Sequence, residues 1–252
     1  MKKVFVTGSE GLIGRVLCAR LEAFGYEVTR FDSVFGNDVR RLVMLGQMDV
    51  VIHLAAISTG MACKENPLRA IDVNVCGTLA VASAARYCEQ IIFASSEWVY
   101  HDCGINDLIW ENDWNLAPPR EIGLYGFTKL AGERIVMESG VENVTVLRFG
   151  IVCGGGAKSA VDTLADGDIG SRRTARRFIH IEDLVDGIVA SIGLKGKHTL
   201  NLTGNRLVSL GDIADAKGLK VVESDPDNPS IRNVDNSLAK SVLNWNPSRA
   251  VL

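Results

Sequence analysis

The chain lacks any C-x-x-C pair, although it contains six cysteines among its 252 residues. Cys18, Cys63, Cys76, Cys88, Cys103 and Cys153 do not show the spacing of metal ligands either. The four histidines, His53, His101, His180 and His198, are scattered. The sequence therefore predicts no metal centre, and it reads as a protein of a reducing, cytoplasmic compartment with small buried thiols. An excess of basic charge is also missing. A net charge of −3 gives no field that would draw nucleic acid or an anionic membrane. No apolar run approaches the roughly 20 residues that a membrane span needs. The first residues reach Gly8 too early for the apolar core of a signal peptide. What remains is ordinary globular composition, 47% apolar and 23% charged, enough for one large core with a smaller lobe attached.

Glycine is placed with purpose near the start. Residues 3–7 form a short β-branched run ending at Gly8, followed by Gly11 and Gly14 and then an amphipathic helix over 12–24. Gly8 allows a tight turn, Gly11 a close approach of backbone to pyrophosphate, and Gly14 close packing of helix on strand. The helix start adds free N–H groups for phosphates, with Glu10, Leu12 and Ile13 alongside. A second strand over 27–31 ends at Asp32, where a carboxylate accepts hydrogen bonds from a ribose and repels a 2′-phosphate. This favours NAD over NADP. Further buried strands are predicted over 49–56, 90–94 and 144–149, and a long helical region runs from Asp72 to about Tyr87.

Tyr125 and Lys129 stand four residues apart, on one face of a predicted helix. A neighbouring ammonium lowers the pKa of a phenol and makes the tyrosine a proton acceptor. From Gly150 the pattern changes to a loop-rich lobe, with glycines at 154–156, before strand and helix character returns near Phe178.

These motifs together resemble the extended short-chain dehydrogenase/reductase superfamily, in its NAD-dependent epimerase/dehydratase branch. The resemblance rests on the loop over 7–14, Asp32, the His53–Ala56 stretch, Asn74 with Gly77 and Thr78, residues 95–100, the Tyr125/Lys129 pair, Arg148 with Phe149, the 176–180 stretch and the 235–247 segment. It implies an α/β fold, a Rossmann-type doubly wound parallel sheet with a small C-terminal substrate-binding lobe. The sheet domain is expected over 1–150, joined by strand and helix from about 178–203, and the lobe over 151–177 and 204–252. Ser96, Tyr125 and Lys129 match the family's catalytic residues. Asp38, Val39, Leu54, Ala55, Ala56, Asn74 and Ala94 join the glycine loop around NAD. Ser58, Ser96, Glu97, Trp98, Phe149, Gly150 and Arg176 are the substrate-side candidates, with Arg176 matching an arginine that helps hold a diphosphate. The implied reaction is hydride transfer at a sugar carbon, as in epimerisation of a nucleotide sugar through a keto-sugar. A sugar or uronate dehydrogenase is the alternative, and a redox-silent NAD-binding protein a third reading. The implied partners are a nucleotide sugar or sugar acid and a second copy in a homodimer.

The sequence departs from the family at Gly150-Ile151-Val152-Cys153-Gly154, at His101, and upstream of Asp235, where Ser224 and Asp225 replace an expected arginine and Arg232 is the substitute. Glu97 reads as an acid for a leaving hydroxyl, as a ligand of a substrate hydroxyl or as a loop charge, and Trp98 as a sugar-stacking ring or as packing under a polar loop over 101–123. Arg172, Arg173, Arg176 and Arg177 suit a phosphate or carboxylate. His53 and His180 read as structural.

Overall fold

The computed structural model describes residues 1–112, 123–224, 227 and 229–252. The chain opens with β1 (Lys3–Thr7), α1 (Leu12–Ala23) and β2 (Glu27–Phe31), then β3 (Val50–His53), α2 (Gly60–Glu65), α3 (Pro67–Ile71) and α4 (Gly77–Ala84). Next come β4 (Gln90–Ser96), α5 (Leu124–Met137), β5 (Asn143–Phe149), β6 (Ile151–Cys153), α6 (Ala160–Thr163) and β7 (Ile169–Gly170). The rest is β8 (Ala175–His180), α7 (Ile181–Ala190), β9 (Lys197–Leu202), β10 (Leu207–Ser209), α8 (Leu210–Lys217), β11 (Val222–Glu223), β12 (Ile231–Arg232) and α9 (Ser237–Leu243).

Six strands form the main sheet in the order β2-β1-β3-β4-β5-β9, all parallel. β3, β4 and β5 are buried along their whole length, which is why the sequence showed continuous apolar runs there. The alternation within β1 sorts the core into two layers. Val4 and Val6 pack with Leu17, Leu21, Leu184 and Ile188 of α1 and α7. Phe5 packs on the other face with Val81 of α4 and Val136 of α5. This is the Rossmann-type α/β arrangement, and the strand order reverses between β1 and β3, where such sheets open a crevice.

A second sheet is built around β8, with β10 antiparallel and β12 and β6 parallel to it. β9 pairs with β5 in the main sheet and α7 packs on its face, whereas β8 belongs to the second sheet. The physical link between the two is α7, whose N-terminus His180 caps by accepting from the Glu182 N–H. Arg20 of α1 bonds Glu182 and Asp186 and so ties α7 across the main sheet's face. Among the described residues no helix is long and apolar enough to cross a membrane.

The polar loop expected over 101–123 falls partly on 113–122, outside the described residues. Its described part runs along the second sheet instead: Cys103 N–H donates to Ile231 O (2.8 Å) and Ile109 N–H to Asn233 O (3.0 Å). Asp225 also lies outside the described residues.

Candidate active site

The turn after β1 is held by contacts that exclude side chains. Gly8 has φ of +72°, and a Cβ there would stand 2.7 Å from the Ala55 nitrogen. A Cβ on Gly14 would stand 2.1 Å from the Gly8 carbonyl oxygen, so α1 lies directly on the turn. Gly11 precedes the helix, whose first turn has no side-chain cap, and Gly11, Leu12 and Ile13 line the crevice. Asp32, at the end of β2, accepts from Glu10 N–H (3.0 Å) and Val34 N–H (3.1 Å), which fixes its carboxylate at the crevice.

A cavity of about 790 Å³ runs from this turn along the C-terminal ends of the strands. Gly8, Glu10, Gly11, Leu12, Ile13 and Gly14 line one end together with Asp32, Asp38 and Val39. Leu54, Ala55, Ala56, Ser58 and Ala94 form its middle. Ser96, Trp98, Tyr125, Lys129, Phe149 and Gly150 line the far end. Residues called from distant parts of the sequence thus share one wall. The sequence reading missed Gly36, Asn37, Arg40, Arg69, Ile151 and Val152, which also line it. Arg40 carried a signal, two residues after Asp38: it bonds Asp38 and Asp72 and holds the Asp38 carboxyl down at about 2.

Three candidates do not line the cavity. Asn74 lies behind it, in a π-turn at Asp72–Cys76 that interrupts the helical run. Its Oδ1 accepts from Ile57 N–H (2.7 Å), and its Nδ2 donates to Ile57 O (3.0 Å) and Thr128 Oγ1 (3.0 Å). Asn74 therefore joins the Ile57 loop to α5. Glu97 and Arg176 lie beneath the wall. Glu97 is completely buried between Ser96 and Trp98, and its Oε1 is 3.1 Å from Arg176 Nε. The other Arg176 nitrogens donate to the Ala175 (2.8 Å) and Ser230 (2.7 Å) carbonyls and to Ser230 Oγ. Burial pushes the Glu97 carboxyl up to about 7, with Arg176 and Arg232 opposing. Arg232 stacks 4.5 Å from the Trp98 ring centroid and lies 3.1 Å from Asp102. Of the other basic residues, Arg172 pairs with Asp215 (2.6 Å) and Arg177 donates to Asn233 Oδ1 (2.7 Å).

Tyr125 and Lys129 lie one turn apart on α5, as the spacing predicted. Lys129 is buried, and its Nζ donates to the Ala94 carbonyl (2.8 Å) and sits 5.8 Å from the Tyr125 ring centroid. Desolvation pushes Lys129 down to about 8, offset by Cys63 and Glu133. Burial pushes Tyr125 up to about 12, and a side-chain hydrogen bond with Ser96 pulls it back. Lys129 is expected to lower the phenol; instead burial raises it, and the group that pulls it back is Ser96 rather than Lys129.

His53 is structural. Thr7 Oγ1 contacts its Nδ1 (2.6 Å) and Thr78 Oγ1 its Nε2 (3.0 Å), while Thr78 donates onward to Asn74 O. Burial, with Lys129 nearby, pushes the imidazole down to about 3, so it is neutral.

Residues 4–202 match the family model described as the NAD dependent epimerase/dehydratase family. The chain belongs to this family. Within it, the chain is 31% identical over 176 residues to dTDP-4-dehydrorhamnose reductase of Mycolicibacterium smegmatis, an alignment covering 66% of this chain and 52% of that protein. It is 26% identical to UDP-glucuronic acid decarboxylase 1 of Arabidopsis thaliana, over 97% of this chain and 66% of the relative. The chain thus spans about half to two thirds of the length of these curated relatives. Among solved structures, MoeE5 in complex with UDP-glucose and NAD superimposes with a TM-score of 0.83 at 25% identity, over 98% of this chain and 94% of that one. UDP-glucuronic acid 4-epimerase from Bacillus cereus shares the fold, with a TM-score of 0.81 at 21% identity over 99% and 95% of the two chains.

Proposed function

We propose that the chain binds NAD⁺ and oxidises a carbinol carbon of a sugar, with epimerisation through a keto-sugar as the overall reaction. The observation that carries this reading is that Ser96, Tyr125 and Lys129 line the same cavity as the glycine turn and Asp32. The turn suits a pyrophosphate because any side chain at Gly8 or Gly14 would collide with backbone, and Asp32 suits a ribose without a 2′-phosphate. A nicotinamide dinucleotide held by the glycine turn and Asp32 would supply a reversible hydride acceptor at the Ser96, Tyr125 and Lys129 end. Tyr125 takes the hydroxyl proton as that hydride leaves carbon, and gives it back when the keto oxygen is reduced. Ser96 donates a hydrogen bond to the same oxygen. At about 12 Tyr125 is a phenol, suited to protonating a keto oxygen. The groups placed to lower it for the forward step are the Lys129 ammonium and the Ser96 hydroxyl.

A second reading, oxidation of a sugar acid with release of NADH, draws on Arg176. The resemblance gave this residue to a diphosphate, yet its guanidinium is committed to Glu97, Ala175 and Ser230. A substrate without a diphosphate needs no free Arg176. Either substrate is a small molecule of the nucleotide-sugar or sugar-acid class. The second copy of a homodimer would meet α4 and α5, where Leu79 and Phe127 are 55% and 41% exposed. Free cysteines suit a cytoplasmic setting.

The test is incubation with NAD⁺ and a panel of UDP-sugars and free uronates, following absorbance of NADH together with product analysis. Isomerised sugar without net NADH supports epimerisation. Stoichiometric NADH replaces it with the dehydrogenase reading, and NAD⁺ binding with no turnover of any sugar overturns both.

A further inference from the structure

One turn beyond Lys129, α5 carries Glu133, whose side chain is sealed inside the protein at 6% exposure. Its Oε1 accepts from Arg148 Nε (2.9 Å) and from the Ser95 hydroxyl, and its Oε2 accepts from Arg148 Nη2 (2.7 Å). Arg148 is 4% exposed and donates through Nη1 to the Tyr100 hydroxyl (2.7 Å) and the Glu111 carbonyl (3.2 Å). Tyr100 in turn donates to Asn201 Oδ1 (2.8 Å), and Asn201 Nδ2 to Asp235 O (3.0 Å). One carboxylate therefore fastens the helix of Tyr125 and Lys129 to the strand that ends in Ser95 and Ser96, and to β5, β9 and the second sheet's edge.

We propose that Glu133, gripped by Arg148 and Ser95, is a positioning residue for the catalytic group, fixing α5 against β4 and serving as the counter-charge of Lys129. The proposal rests on the reading of Tyr125 and Lys129 as the catalytic pair.

Three features of the structure support it. Beside Glu133, a Cβ on Gly132 would stand 2.5 Å from Phe93 Cζ, so the helix touches β4 at this level and the fork sets its rotation there. The grip is bidentate, which fixes direction as well as distance. The surroundings of Lys129 offer little other negative charge. From α2 comes the Cys63 thiol, pushed up by burial; from β3 comes neutral His53; from β4 come the Ala94 carbonyl and the Phe93 ring; from α5 itself come Tyr125 and Glu133. Cys63 and Glu133 are the groups that favour the ammonium, and with the Cys63 thiol and the Tyr125 phenol both raised by burial, the carboxylate is the one charged at neutral pH.

The experiment uses the full chain labelled with ¹³C at lysine Cε, with the Lys129 signal assigned by its loss in Lys129→Arg. The wild-type signal titrates near 8. In Glu133→Gln the midpoint falls by about one pH unit, and in Glu133→Asp, which keeps the charge, it stays close to wild type. The paired variant Glu133→Gln/Arg148→Gln strands no charge and provides the same readout should the single change unfold the protein. An unchanged Lys129 midpoint in the charge-removing variants overturns the counter-charge role. Ser95→Ala leaves every charge in place and tests position: turnover of UDP-glucuronic acid or free glucuronate falls about tenfold with the Lys129 midpoint unmoved, whereas an unaltered rate overturns the positioning role. Absence of turnover in the wild-type chain with an intact Lys129 response to Glu133 contradicts the catalytic reading instead, so the two failures are told apart.

Discussion

The carboxylate of Glu97 and the guanidinium of Arg176 meet at 3.1 Å across 79 positions of sequence (176 − 97), inside the wall between Ser96 and Trp98. The contact changes what both residues are for. Arg176 is held by an ion pair with Glu97 and by bonds to Ala175 and Ser230, and Glu97 is a buried acid pushed up to about 7 from 4.5.

A raised carboxyl pKa has a definite sign in stability. Between about 4.5 and 7 the folded chain holds a proton that the unfolded chain releases, so stability falls as pH rises through that window. The full effect is on the order of 3 kcal/mol, at about 1.4 kcal/mol per unit. Glu97→Gln removes this component: melting temperatures of wild type and variant lie closest near pH 4.5, and the variant gains relative to wild type towards pH 8. A parallel pair of curves would show that Glu97 does not titrate in this range.

Lys129 carries the opposite prediction for catalysis. Its ammonium is held down to about 8, so it is present below that pH and lost above it. Hydride-transfer rates measured from pH 6 to 10 decline above about 8, and Lys129→Arg, which keeps its charge throughout, loses that alkaline limb along with much of the rate.

Gly14 is predicted to be intolerant. With a methyl group 2.1 Å from the Gly8 oxygen, Gly14→Ala forces α1 off the turn. NAD⁺ affinity, followed by fluorescence or calorimetry, falls at least about tenfold, and stability falls by about 1–3 kcal/mol.

For His53 the expectation separates stability from chemistry. His53→Leu removes the ring's buried contacts with the Thr7 and Thr78 hydroxyls, which keep Ala55 N–H and Asn74 O as partners, and costs about 1 kcal/mol in denaturant unfolding. The kinetic pH profile keeps its midpoints, because the imidazole is neutral throughout the working range.

Much of this architecture was legible because it depends on local spacing. Gly8, Gly11, Gly14 and Asp32 act through backbone geometry within one β-α-β unit, and Tyr125 and Lys129 through a single helical turn. Glu133 stands at the next turn of the same helix, so its proximity was legible as well, but its fork with Arg148 was not. Pairings between remote segments leave no local period. Nothing near Glu97 announces Arg176, and nothing near Asn74 announces the Ile57 loop that it clamps. The π-turn at Asp72–Cys76 was likewise hidden in an apparently continuous helical pattern. Burial was the other unseen quantity, and it is what raises Tyr125 and lowers Lys129.

The most direct test of the account is a single turnover of wild type and Tyr125→Phe with NAD⁺ and a sugar found active in the panel, following NADH absorbance in a rapid-mixing instrument. The account predicts transient or net NADH in the wild type and a loss of about a hundredfold or more in the variant, with NAD⁺ binding retained. An unimpaired Tyr125→Phe would contradict it and move the chemistry away from the Ser96, Tyr125 and Lys129 group.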